Sequence, residues 1–208
     1  MKRILISMLA IFLVIGLASA GAFAWFQDTE TSSGNTFTAG TLDLKIKDGG
    51  VDWLDGITTA EWTLSNMKPG DAEYGSVDFR NFGSIYANHM EITSDYTITD
   101  PPGPESDTEE NTPANEMAGE MIITEMVYSY GSTEVNCLPL ITDANGNGVK
   151  DIYDLKTGGV NNLPLLQSGT QLASLSMTVQ FNPGAGNNFQ GDILNLTMIF
   201  TLNQDSSQ

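Results

Sequence analysis

Twelve residues in the second half of the chain, 143–154, carry oxygen-bearing side chains at the spacing of an EF-hand calcium loop. Ca²⁺ binds about six to eight oxygen atoms from carboxylates, amides and backbone carbonyls. A glycine at the sixth position, Gly148, permits the tight turn that brings such ligands together. The predicted calcium ligands are Asp143, Asn145, Asn147, the backbone carbonyl of Val149, Asp151 and Asp154.

The loop departs from the EF-hand pattern at its last position, where Asp154 stands in place of a glutamate. Asn and Gly also favour turns without any metal, so a metal-free turn is the alternative. We expect calcium in a structural role, because three carboxylates drawn together without the ion would repel each other. We expect a modest affinity, because two of the side-chain ligands are neutral.

The sequence lacks the residue patterns of hydrolytic active sites. His89 is its one histidine, and neither a His-Glu-x-x-His zinc motif nor a Gly-x-Ser-x-Gly nucleophile motif is present. A pair of carboxylates could cleave sugars, but with 26 acidic residues such pairs arise by chance. We predict that the protein is not an enzyme.

The N-terminus has the three parts of a secretory signal. Lys2 and Arg3 precede an apolar stretch, and small residues follow at two Ala-x-Ala sites, 18–20 and 22–24. We predict a cleaved signal peptide over 1–24 and a mature chain that is secreted or held at the cell surface. An uncleaved membrane anchor is the alternative, because the apolar stretch reaches the ~20 residues that span a bilayer.

The chain is strongly acidic, with a net charge of −18 at pH 7. An acidic surface repels nucleic acid and anionic lipid, so we expect no nucleic-acid partner and membrane contact only through the uncleaved signal. The single cysteine, Cys137, excludes an internal disulfide. We expect this thiol to be buried, with a bridge between two chains as the alternative.

Apolar residues recur with a period of two along most of the mature chain, which is typical of β-strands with one buried face. The predicted strand segments are 42–46, 62–64, 77–79, 85–99, 120–130, 172–181 and 192–202. In the last segment the side chains expected to face the core are Leu194, Leu196, Met198, Phe200 and Leu202. Together they predict one all-β domain, an antiparallel β-sandwich, with one short helix near 151–156.

Two further segments stand out against this pattern. Residues 100–119 are rich in Pro, Gly and acidic groups, and we expect them to form a mobile acidic insertion within the domain. Asn195 begins an Asn-Leu-Thr sequon for N-glycosylation on the outward face of the last strand.

Two stretches of the sequence resemble the TasA/camelysin family of secreted fibre-forming proteins. "FQDTETSSGNTFTAGTLDL" (26–44) is similar to an aromatic-x-Asp segment that is followed by a Thr-Phe-x-x-Gly-Thr-Leu-Asp-Leu strand. "NMKPGD" (66–71) and "VDFRNFGS" (77–84) are similar to the turn and strand that come next in the family. The pattern looks most like the archaeal bundling pilins.

This resemblance implies a jelly-roll sandwich over 36–208 and an N-terminal segment, 25–35, that leaves its own domain. In the family this segment inserts as a strand into the sheet of the next subunit, which is donor-strand complementation. The residues expected to form the donor strand are Trp25, Phe26, Gln27, Asp28, Thr29, Glu30 and Thr31. Part of the family is labelled as metallopeptidases, but the zinc ligands for that activity are missing from this sequence.

We therefore expect a structural subunit of an extracellular filament, a pilus or biofilm matrix fibre, stabilised by calcium. Its expected partners are copies of itself in a head-to-tail polymer, together with other matrix or surface proteins. The alternative is a calcium-stabilised adhesion or binding domain tethered to the cell surface by an uncleaved N-terminal helix. A mature N-terminus at Gly21 or Trp25 would favour the fibre, and a retained Met1 would favour the anchor.

Overall fold

The described part of the chain lies within residues 40–208. The computed structural model describes residues 40–47, 52–55, 62, 67–99, 117–164, 167–169, 171–186, 189 and 192–205. The predicted signal peptide, the predicted donor-strand residues and most of the acidic insertion lie outside these ranges.

Eight β-strands account for about half of the described chain. They are β1 (Leu44–Lys47), β2 (Ala72–Asn81), β3 (His89–Thr99), β4 (Met121–Tyr130), β5 (Thr133–Asn136), β6 (Val160–Leu163), β7 (Leu172–Phe181) and β8 (Ile193–Asn203). Three short helical segments lie among them: α1 (Met117–Glu120), a 3-10 helix (Leu138–Leu140) and α2 (Ile152–Gly158).

The strands form two antiparallel sheets. The larger sheet has the order β1-β2-β7-β4-β5, and the smaller sheet has the order β6-β3-β8. The longest pairing joins β3 to β8 along eleven residue pairs, from His89–Asn203 to Thr99–Ile193. The predicted all-β antiparallel sandwich is confirmed.

The core lies between the two sheets and follows from the period of two in the strands. On β7 every second residue is buried, with Leu175, Met177 and Val179 at 0% exposure. The rings of Phe79 on β2 and Phe200 on β8 meet edge to face, with centroids 4.6 Å apart, so β8 faces β2 across the core. Such aromatic pairs add about 0.5–1.5 kcal/mol beyond the area that they bury.

The structure differs from the predicted elements at several points. Strands β5 and β6 were not expected, and of the predicted strand at 62–64 only Trp62 is described, at a bend. The helix predicted near 151–156 is α2. The last residues of the predicted acidic insertion, 117–119, are buried in α1 because Met117 and Ala118 pack into the core.

Candidate functional site

The predicted calcium loop joins the 3-10 helix to α2, and all twelve of its residues are described. Its first residue, Asp143, organises the turn with both carboxylate oxygens. Oδ1 accepts a hydrogen bond from the Gly146 amide at 2.7 Å, and Oδ2 accepts one from the Gly148 amide at 3.0 Å. Both glycines have positive φ angles, 74° and 86°, which glycine adopts without a steric cost.

The two asparagines of the loop connect its turn to a buried carboxylate. The Oδ1 atoms of Asn145 and Asn147 accept hydrogen bonds from backbone amides two residues later, at 3.1 and 3.0 Å. Their Nδ2 atoms donate to the same oxygen, Oδ2 of Asp151, at 2.9 and 2.8 Å. Three of the predicted ligand side chains therefore meet at one point.

Asp151 and Asp154 are fully buried carboxylates at the start of α2. Asp151 is the N-cap of the helix, and its Oδ1 accepts a hydrogen bond from the Asp154 amide at 2.9 Å. Burial raises the pKa of the Asp151 carboxyl above its ordinary value. Asp154 Oδ1 accepts from the Ala144 amide at 2.8 Å, but Oδ2 of the same carboxylate is buried without a hydrogen-bond partner.

The loop is attached to the larger sheet and to α1. The Ile123 amide of β4 donates to the Lys150 carbonyl at 2.7 Å, and Asp151 forms an isolated bridge with Ile122. Asn147 Nδ2 also lies 3.3 Å from the Gly119 carbonyl, to which it donates. These contacts fix the loop against the fold on the side where α2 begins.

Within the part of the chain that the structure describes, no group of three His, Cys, Asp or Glu side chains is placed to hold a metal ion. The loop brings the predicted ligands of 143–154 into one hydrogen-bonded network that mixes carboxylates with amides. Calcium binding by this network stays a prediction.

His89, the one histidine, is a buried residue of β3. Its Nε2 lies 3.1 Å from Glu91 Oε1 and 3.1 Å from Asn203 Nδ2, and its Nδ1 lies 3.3 Å from Asn88 Oδ1. The side chain is 4% exposed. This ring is engaged by neighbouring polar groups and joins β3 to the end of β8.

A second candidate site is the outer edge of β8. Among the described residues, β3 pairs with one side of β8 and no strand pairs with the other. The inward row of β8 is only half-buried beyond Leu194, as are Leu44 and Ile46 on β1. We call this the open side of the sandwich; its half-buried apolar residues are Leu44, Ile46, Leu196, Met198, Phe200 and Leu202.

The positions of β1 and β8 explain why this side is open. Ile46 on β1 pairs in register with Phe79, which contacts Phe200 of β8. Because β8 is the last described strand of its sheet and lies over β2, no described strand covers β1. Sequence reasoning did not identify this edge, although the absence of charged residues and proline from 193–203 could have signalled it.

The other predicted site residues fall in different places. The donor-strand residues, 25–31, lie outside the described residues. Asn195 is exposed on the outward face of β8, as its predicted place in the strand requires. Cys137 is buried beside β5 and carries a free thiol.

No helix in the described ranges has the length and hydropathy needed to cross a membrane. The family model described as camelysin metallo-endopeptidase matches residues 1–208 of the chain. The chain is also similar to the major biofilm matrix component of Bacillus subtilis (strain 168), with 30% identity over 95 residues. That match covers 46% of this chain and 33% of the relative's length.

Proposed function

The chain belongs to the camelysin family, and we propose that it is the structural subunit of an extracellular fibre in a biofilm matrix or pilus. The observation that carries this proposal is the similarity to a major biofilm matrix component. The secretory pattern of 1–24 supports export of the chain, and the acidic composition supports a solvated surface outside the cell.

The fibre grows by donor-strand complementation, in which residues 25–31 of one subunit pair with the outer edge of β8 in the next. The edge of β8 supports this assignment because it is eleven residues long and carries no charged residue or proline. A soluble monomer normally protects such an edge, because an unpaired strand promotes aggregation. The donor strand would form main-chain hydrogen bonds with the edge of β8 that no described strand pairs with.

The half-buried row of the open side supports the same assignment. A strand beside β8 would lie over β1 and cover Leu44 and Ile46, and Trp25 or Phe26 would supply an apolar anchor. Because the donor and acceptor surfaces differ, the contact is head-to-tail and produces an open filament of identical subunits. Other matrix or surface proteins can join such a filament as further partners.

The chain just before β1 is fixed by backbone hydrogen bonds. The Ser84 amide donates to the Thr41 carbonyl at 2.8 Å, and the Phe82 amide donates to the Asp43 carbonyl at 2.7 Å. These bonds hold residues 41–43 against the residues that follow β2, which supports a fixed attachment point for the proposed donor strand.

The proposal assigns the fibre subunit no catalytic role and a structural calcium ion in the loop 143–154. The family description names an endopeptidase, whereas the relative is described as a matrix component. A zinc peptidase needs at least three protein ligands around its metal, and the chain has one histidine. His89 is buried and its ring contacts polar neighbours, which supports a role in holding β3 to β8.

The test compares purified 25–208 with 36–208 by negative-stain electron microscopy in the presence of calcium. Filaments from the longer chain and monomers from the shorter one are the expected result. Monomers from both chains would favour a tethered surface domain. Filaments from both chains would refute the donor role of 25–35.

A pair of neighbouring substitutions tests the acceptor edge within the 25–208 chain. Met198→Lys places a charge on the half-buried row, whereas Ile199→Lys places the same charge on the outward face, where Ile199 is 43% exposed. We expect M198K to remain a folded monomer by circular dichroism and to form no filaments, while I199K assembles. Equal assembly of both variants would locate the acceptor elsewhere.

A further inference from the structure

We propose that the loop 143–154 binds one calcium ion per chain and that Asp154 is the ligand whose charge requires the ion. This proposal rests on the structural calcium ion proposed above and names the residue that requires it; its test reads calcium binding and melting, which are separate from filament assembly. The oxygen ligands are drawn from the six residues predicted from the sequence, and the buried, unsatisfied oxygen of Asp154 adds a reason for a cation at this loop.

The Oδ2 atom of Asp154 is the observation that carries this proposal. Asp154 has 0% exposure, and its Oδ2 is buried with no hydrogen-bond partner. A buried polar atom left unsatisfied destabilises a fold, and an ionised carboxylate does so most strongly. The Oδ1 atom of the same carboxylate is bonded to the Ala144 amide, which orients the group toward the start of the loop.

Protein cations do not balance the acidic groups of this loop. Within the described ranges, the salt bridges involve other carboxylates, and none joins Asp143, Asp151 or Asp154 to a lysine or arginine. Lys156, the basic residue in the last turn of α2, pairs with Asp95 of β3 at 2.7 Å. Among the described residues, neither of the two fully buried carboxylates of the loop is salt-bridged to a lysine or arginine.

The amides of Asn145 and Asn147 both bond to the Asp151 carboxylate. Nδ2 of Asn145 and Nδ2 of Asn147 both donate to Asp151 Oδ2, at 2.9 and 2.8 Å. A bound ion would interact with the same carboxylate far more strongly than two neutral N–H groups. Each Oδ1 atom of Asn145 and Asn147 accepts one backbone hydrogen bond, so a second lone pair on each oxygen remains to coordinate an ion.

The donor set selects calcium over a transition metal. Since no three His, Cys, Asp or Glu side chains in the described ranges are gathered around one point, an ion must also use amide and backbone carbonyl oxygens. Ca²⁺ accepts such oxygens in a flexible shell, whereas zinc takes a small set of His, Cys or carboxylate ligands. Mg²⁺ requires a more regular octahedron and keeps its water, so an irregular loop disfavours it.

The attachment of the loop predicts that the ion stabilises the whole domain. Lys150 and Asp151 are bonded to β4 in the larger sheet, and α2 begins at the next residue. Ser94 of β3 donates from Oγ to the Ile152 carbonyl at 3.5 Å, which ties the first turn of α2 to the smaller sheet. An ion in the loop therefore strengthens a connection between the two sheets.

The experiment measures the melting temperature of the secreted chain by circular dichroism in EGTA, in 5 mM CaCl₂ and in 5 mM MgCl₂, with isothermal titration calorimetry for stoichiometry. We expect calcium to raise the melting temperature by ~5 °C, which is the order expected for a ligand well above its dissociation constant. We expect one ion per chain and a much smaller shift in magnesium.

The variant Asp154→Asn separates an ion ligand from a merely structural residue. We expect D154N to weaken calcium binding at least ~10-fold while its melting temperature in EGTA stays equal to that of the wild type or rises, because the orphaned charge is gone. Glu134→Gln, on the exposed strand β5, is the matched control and should keep the full calcium shift. Three results would each overturn the proposal. The wild-type melting temperature would not rise in calcium, it would rise equally in magnesium, or the melting temperature of D154N in EGTA would fall below that of the wild type.

Discussion

Cys137 should make the domain lose stability in alkaline solution. The residue follows β5 and has 0% exposure, its amide donates to the Met126 carbonyl at 2.8 Å, and its Sγ lies 3.6 Å from the Val135 carbonyl. Burial raises the pKa of the Cys137 thiol from 9.0 to about 11, because the thiolate would lose its hydration in the core. The folded chain therefore keeps this proton at a pH where the unfolded chain releases it.

The sign and size of the effect follow from proton linkage. Between pH 9.0 and about 11 unfolding releases a proton from the thiol, so the free energy of unfolding falls as the pH rises through this window. Each pKa unit corresponds to about 1.36 kcal/mol, so the shift of Cys137 amounts to about 2 to 3 kcal/mol. Below pH 9.0 the contribution is fully present and independent of pH.

The assay is urea unfolding of the 36–208 chain between pH 8 and pH 11, followed by tryptophan fluorescence, for the wild type and Cys137→Ala. The alanine variant should be less stable than the wild type by a pH-independent amount, because its side chain is smaller. Its free energy of unfolding should fall less steeply with rising pH than that of the wild type. Burial also raises the pKa of Tyr128, so both chains should lose additional stability above pH 10. Parallel curves for the two chains between pH 9 and 10 would refute the reasoning.

Three further changes test the packing and the surface. Trp62→Phe should lower the free energy of unfolding in urea by about 1–3 kcal/mol, because the buried indole Nε1 donates to a β7 carbonyl at 2.8 Å. An unchanged unfolding midpoint would contradict this role. Gly83→Ala should lower the free energy of unfolding by about 1–3 kcal/mol in urea unfolding, because its Cβ would clash with the Thr41 carbonyl oxygen. Gly184→Ala is the control, because its Cβ would meet only a side-chain oxygen at 3.4 Å. Equal losses in the two variants would contradict this reason. Asn195→Gln should lower the intact mass of the secreted chain by the mass of a glycan, and a mass change equal to the side-chain difference would show that the sequon is not used.

The long strands were predictable from the sequence because each has one face in the core. Strands β3, β4, β7 and β8 each extend over ten or eleven residues, so the alternation repeats often enough to be seen. Strands β5 and β6 have four residues each, and "TEVN" and "VNNL" hold too few apolar residues to show a period. In β6, Asn162 has a φ of 59°, a left-handed conformation that the alternating pattern does not signal.

The residues of the candidate site were predictable from the sequence, but their burial and hydrogen-bond partners were not. The spacing of oxygen-bearing side chains along 143–154 follows directly from the EF-hand pattern. The pattern contains no information on burial, so it could not reveal that Asp154 Oδ2 lacks a partner or that Asn145 and Asn147 share one acceptor. The open side of the sandwich also depends on strand order, because β1 and β8 are far apart in sequence and flank it from different sheets.

The predicted calcium loop contacts β3, but it makes no contact with the open edge of β8 among the interactions described above. The loop reaches β3 through α2, by the Ser94 contact and by the salt bridge between Lys156 and Asp95. Strand β8 is held to β3 by eleven register pairs that do not involve the loop. If the loop binds the proposed ion, removal of that ion should loosen α2 and leave the β3–β8 pairing in place. We expect filaments to form in EGTA with unchanged appearance by electron microscopy and to melt at a lower temperature than in calcium; a requirement for calcium in assembly would mean that the loop itself lies at the contact between subunits.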